Sequence, residues 1–155
     1  MADSTFLVER STTIGAGPEV VFDLIDDFRR WTEWSPWEGV DPNLNRTYSG
    51  ADRGVGASYA WTGNRKAGAG SMTITESVPG RKVTLDLAFL KPFKATNVTT
   101  FLIEPGADGT TVRWQMAGTR SGLMKVFGLV MNMDKIVGKD FEKGLASMKE
   151  VAEAA

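Results

Sequence analysis

The chain has 155 residues, with 18 Lys and Arg against 19 Asp and Glu, for a formal net charge of −1, and it contains neither histidine nor cysteine. That length suits one domain of ordinary size, and a hydrophobic content of 42% with 24% charged residues is that of a folded chain rather than a disordered one. The missing residue types exclude a Ser-His-Asp triad, a cysteine nucleophile, a disulfide scaffold and a structural zinc site, and the balanced charge argues against a nucleic-acid module, which carries a basic footprint.

The chain opens Met1-Ala2-Asp3-Ser4-Thr5, which is too polar for a signal peptide and fits a cytoplasmic protein. Residues 6–14 alternate, with Phe6, Val8 and Ile14 on one side, and read as a half-buried strand. Gly15-Ala16-Gly17-Pro18 ends it, and Pro18 suits the first turn of a helix, where a missing N–H costs nothing. Val21, Leu24, Ile25 and Phe28 then recur at helical spacing, with Trp31 and Trp34 extending the stripe.

From Leu44 to Thr119 the period is two. Strands are predicted at 44–50, 55–63, 69–78, 82–90, 95–104 and 110–119, separated by turn signals such as Pro79-Gly80 and Pro105-Gly106-Ala107-Asp108-Gly109. Tyr59, Trp61, Met72, Ile74, Val83, Leu85, Leu87, Phe89, Phe101, Ile103, Val112, Trp114 and Met116 share one face, and Thr73, Thr75, Thr84, Asp86, Thr111, Arg113 and Gln115 the other. Residues 123–155 read as a long helix with Phe127, Val130, Met131, Val137, Phe141, Leu145, Met148 and Ala152 in one stripe. Its apolar run, Leu123 to Met133, falls short of the ~20 residues a membrane span requires. Gly138 and Gly144 weaken this helix unless they serve a close approach to the sheet or a kink. A sheet with one apolar face and a helix with one apolar stripe must cover each other. The expected class is α+β: a curved antiparallel sheet of about seven strands wrapped on a long C-terminal helix, with two short helices after the first strand.

The order of elements resembles the helix-grip fold of the SRPBCC superfamily, which includes START-type domains and polyketide cyclase/dehydrase-type proteins. The residues that carry the resemblance are Glu9-Arg10-Ser11, Ile14, Pro18-Glu19-Val20-Val21-Phe22, Trp31-Thr32-Glu33-Trp34-Ser35-Pro36-Trp37, Gly109-Thr110-Thr111-Val112-Arg113-Trp114 and Asp134 with Gly138 to Leu145. It implies a single domain over residues 1–155 and a cavity between sheet and long helix that holds an apolar small molecule.

Candidate ligand-binding residues follow from this placement. Trp37 stands outside the helical stripe, in a segment that in this fold lies near the cavity mouth. Tyr59, Trp61, Met72, Leu87, Trp114 and Met131 offer an apolar wall with a few polar handles, although each is also an ordinary core residue. Glu76, Asn97 and Asp134 are polar residues at apolar phases, as is Arg10. They either pair internally, Arg10 with Glu76 or Asp134, or line the polar end of a cavity, and a single bulge would flip any of the strand residues to the other face. An Asp134 in an apolar wall would serve as an acid or base. No catalytic constellation is evident, and neither a metal nor a cofactor is expected. Three functions stay open: a monomeric or homodimeric binder of a lipid, polyketide or isoprenoid; a cyclase or dehydratase acting by conformational restriction; and a protein-interaction module using Leu123 to Met131, a segment that also reads as a buried helix start or a lid.

Overall fold

The computed structural model describes residues 5–37, 41–64, 68–91, 95–119 and 133–154. Seven strands, β1 (Thr5–Ile14), β2 (Asn45–Gly50), β3 (Ala57–Thr62), β4 (Ala69–Val78), β5 (Lys82–Lys91), β6 (Ala95–Gly106) and β7 (Gly109–Thr119), form one antiparallel sheet in the order β1-β7-β6-β5-β4-β3-β2. Helix α1 (Pro18–Asp26) and a 3-10 helix (Phe28–Glu33) follow β1, and helix α2 (Met133–Ala154) closes the chain. The α+β helix-grip expectation therefore holds, down to the two short helices. The predicted start of the long helix at residue 123 lies outside the described residues up to Met133.

Alternation makes the sheet two-faced. Ile74, Val83, Leu85, Phe101, Ile103, Val112 and Trp114 are almost wholly buried, whereas Thr75 and Asp86 point to solvent. On α2, Phe141, Leu145, Met148 and Ala152 present the buried stripe, and the helix packs chiefly on β1. Both glycines of α2 serve close approaches. A Cβ at Gly138 would collide with the Arg10 guanidinium, and one at Gly144 would stand 2.8 Å from Pro36 Cδ and 2.9 Å from Trp114 Cζ3.

Helix α1 begins with Pro18 as its first residue and ends where Asp27 turns extended, and Asp27 then caps the 3-10 helix by accepting from the Arg29 N–H at 3.0 Å. Helix ends leave carbonyls without partners. Here two indoles supply them: Trp34 Nε1–H donates to the Leu24 carbonyl and Trp31 Nε1–H to that of Ile25, each at 2.8 Å.

The β4–β5 ladder has two register shifts, one between Ala69 and Gly70 and one that moves a candidate residue. The β4–β5 register shifts between Ile74 and Glu76, so Ile74 still opposes inward Leu85 while Glu76 opposes outward Thr84. Glu76, expected on the apolar face, is thereby exposed and pairs with Lys82 at 2.9 Å. Ser77 takes the inward phase opposite Val83, and its hydroxyl donates to Asp26 Oδ1 at 2.7 Å. Asp26, only 3% exposed, also accepts from Arg53 Nε at 3.3 Å, so the bulge ties α1 to β4 and to the β2–β3 turn.

Candidate functional site

The concave face and α2 meet around Trp114. Its register neighbours are Phe101 on β6 and Arg10 on β1. Its ring stacks on Phe141 of α2 at 4.0 Å and 9°, while Trp34 and Trp37 stand nearly perpendicular to it at 5.5 and 5.8 Å. Beside this cluster is a cavity of about 10 Å³, lined by Trp31, Trp37, Met72, Leu87, Thr99, Trp114, Met116 and Phe141. That volume suits about a single water molecule. Four of the cavity's eight described lining residues are aromatic.

Three polar features bear on the chemistry. Trp114 is 1% exposed, and its indole N–H has no hydrogen-bond partner among the described residues. A buried donor left unpaired costs about 1–3 kcal/mol, so an acceptor oxygen reaching this N–H would recover the part of that deficit that its own desolvation does not consume. Thr99, also buried, donates from Oγ1 to Asn97 Oδ1 at 3.3 Å, which fixes both side chains on the inward face and leaves the Thr99 oxygen as an acceptor. At the rim, Trp37 is 39% exposed and donates from Nε1 to Asp140 Oδ2 of α2 at 3.3 Å.

The structure thus gathers Trp37, Met72, Leu87 and Trp114 in the cavity wall, with Asn97 one hydrogen bond behind it. Tyr59 and Trp61 share the inward face but do not line the cavity; they sit half-buried in an aromatic row that joins the cavity wall through Phe28 and Trp31. Tyr59 stacks on Trp61 at 6.0 Å, Trp61 meets Phe89 edge-on at 5.9 Å, and the Trp61 ring lies over Gly70, where a Cβ would approach it to 2.6 Å. Glu76 is outside the cavity altogether, turned away by the bulge. Met131 and the side chain of Asp134 lie outside the described residues. Arg10 is apart from Glu76: its Nε donates to Glu142 Oε2 at 2.9 Å and its Nη1 to the Glu9 carbonyl at 2.7 Å, while the expected pairing with Asp134 lies outside the described residues. Sequence reasoning placed Thr99, Met116 and Phe141 in their elements without marking them as site residues, and it missed Asp140. Only the spacing of Asp140 beside inward Phe141 signalled its place, and its partner Trp37 is more than a hundred positions away.

Among the described residues no group of three or more His, Cys, Asp or Glu side chains converges to hold a metal ion. No helix of the described residues is long and apolar enough to cross a membrane.

Comparison with known proteins agrees with the architecture. The family described as polyketide cyclase/dehydrase and lipid transport matches residues 5–153. The di-domain ARO/CYC StfQ of the steffimycin biosynthetic pathway superposes with a TM-score of 0.75 at 10% identity, covering 97% of this chain and 52% of that one. The di-domain ARO/CYC BexL of the BE-7585A biosynthetic pathway gives 0.73 at 15% identity, covering 97% and 51%, so this chain spans about half the length of each. The Aha1 dimer of Colwellia psychrerythraea gives 0.65 at 16% identity, covering 96% of both chains. At these identities the likeness is one of fold. No curated protein matches the chain by sequence.

Proposed function

We propose, since the chain belongs to the polyketide cyclase/dehydrase and lipid transport family, that it is a cytoplasmic binder of an apolar or aromatic small molecule of lipid, polyketide or isoprenoid type. The ligand is held between the concave sheet face and α2. The observation that carries this reading is the unpartnered indole N–H of Trp114, buried in a wall of Met, Leu and aromatic side chains. A mostly apolar wall with a few placed polar groups is the common composition of small-molecule sites. Burial of apolar ligand surface contributes about 25 cal/mol per Å², and a ligand oxygen that reached the buried Trp114 donor would be oriented by it.

A cyclase or dehydratase reading has the same family behind it. The described cavity wall, however, offers Thr99 and no carboxylate, lysine or tyrosine, so it favours binding over proton transfer. The binder is expected to be a monomer or a homodimer, which sedimentation will distinguish.

Native mass spectrometry of the purified protein, followed by denaturing extraction, tests the proposal. An adduct released on denaturation, whose re-addition changes tryptophan emission, is the expected result. A bare polypeptide mass, with emission unchanged by apolar probes such as anilinonaphthalene sulfonate, would contradict it.

A further inference from the structure

A cavity of about 10 Å³ is too small for any organic ligand, so binding requires that something leave. We propose that Trp37 is a displaceable plug, its indole standing where a flat aromatic ligand goes, and that Asp140 selects ligands carrying a hydroxyl or N–H donor on the ring edge. The inference rests on the small-molecule-binding reading above and adds to it the gate and the ligand class.

Pro36 is buried and packed against Gly144 of α2, with no room for even a Cβ between them, so the chain leading into Trp37 is anchored. The Trp37 side chain lines the cavity and, at 39% exposure, is the most exposed of its described lining residues. Its polar tie is one long hydrogen bond, 3.3 Å, to a half-buried carboxylate. Trp31 and Trp34 also belong to this cluster, but they are 5% and 1% exposed and hold backbone carbonyls at 2.8 Å. Of these three, Trp37 is the one whose removal leaves no buried backbone group unpaired.

The surfaces that Trp37 leaves behind define its replacement. An incoming ring inherits the perpendicular contact with Trp114 and joins its own volume to the existing cavity. Asp140 is left with a carboxylate oxygen that had accepted from an aromatic N–H, and a phenolic hydroxyl or ring N–H restores that bond. An ether or a bare hydrocarbon cannot.

Titration of wild type, Trp37→Ala, Trp37→Phe and the double variant Trp37→Ala/Asp140→Ala with 2-naphthol and with 2-methoxynaphthalene tests both halves. Removing a plug that occupies the site most of the time raises apparent affinity, so Trp37→Ala should bind 2-naphthol about tenfold more tightly than wild type. Trp37→Phe, which keeps a ring but loses the N–H, should fall between. Trp37→Ala should prefer 2-naphthol over its methyl ether by about threefold or more, and the double variant should lose that preference. Unchanged or weaker binding by a Trp37→Ala protein that melts like wild type would make Trp37 a wall and overturn the plug while leaving ligand binding intact. A hydroxyl preference that survives in the double variant would overturn the role of Asp140. Failure of every protein to bind either probe would defeat the plug together with the binding reading beneath it.

Discussion

Four tryptophans gather where α1, α2 and the sheet meet, and they divide into two pairs. Trp31 and Trp34 are buried and spend their indole N–H groups on the last carbonyls of α1, each at 2.8 Å. Trp114 is buried as deeply as Trp34, yet its N–H has no partner among the described residues, and Trp37 beside it is 39% exposed with a single 3.3 Å bond. The residue type is the same and the rings touch one another, so composition does not separate the pairs. The partner of each indole N–H does. The first pair donates to backbone carbonyls and completes a helix end; in the second, Trp114 has no partner among the described residues and Trp37 has one side-chain carboxylate at the rim, and both line the candidate site.

The sharpest way to break that division is to truncate one ring of the first pair. Trp34→Ala should cost about 3–5 kcal/mol by loss of packing and of the Leu24 partner, read as a lower denaturation midpoint. If the cost were under about 1 kcal/mol, Trp34 would not be structural. A finer comparison keeps most of the ring. Trp34→Phe strands the Leu24 carbonyl and should cost about 1–3 kcal/mol, whereas Trp114→Phe discards an unpaired donor and should stay within about 1 kcal/mol of wild type. Equal losses in the two Phe variants would mean that the indole donors are alike after all.

Further from the site, Ser77→Ala removes one donor from buried Asp26 and should cost about 1 kcal/mol, measured in the same denaturation series. The smallest effect lies at the far end of α2. The Glu153 carboxyl is held below its ordinary range first by its hydrogen bond from Lys149 and then by that from the Gly15 N–H. A carboxyl whose folded pKa is depressed stabilises the fold above its unfolded value of about 4.3 and loses that contribution as pH falls through the lower folded value. Glu153→Gln should therefore remove a small part of the acid-limb slope while leaving the rest, and denaturation midpoints collected across that window will show whether the two curves converge at low pH.

Much of this molecule was legible in its residues. Period-two runs and Pro/Gly turns located all seven strands to within a few positions, because each strand buries one face and the pattern must record it. Pro18 marked the start of α1. The β4 bulge left no such mark: one extra residue at Thr75 exchanges the faces beyond it, and Glu76 changed from a wall residue to a surface partner of Lys82. The pairing of Arg10 with Glu142 was hidden for a different reason, since it depends on where α2 crosses β1, and Gly138 announced a close approach without naming the arginine that makes it. The candidate site was half legible. Trp37, Met72, Leu87 and Trp114 followed from face and position, but the difference between a satisfied and an unsatisfied indole is decided by three-dimensional neighbours and cannot be read from spacing.

The five indole N–H signals of the 15N-labelled protein, followed by NMR while 2-naphthol is added, test the central claim most directly. Trp31 and Trp34 should keep their resonances and exchange slowly with solvent, while Trp37 and Trp114 shift together as the ligand binds, Trp37 because it is displaced and Trp114 because the incoming ring replaces the Trp37 ring against it. Binding that leaves the Trp114 signal in place, or that moves Trp31 and Trp34 instead, would contradict the assignment of the site to the second pair.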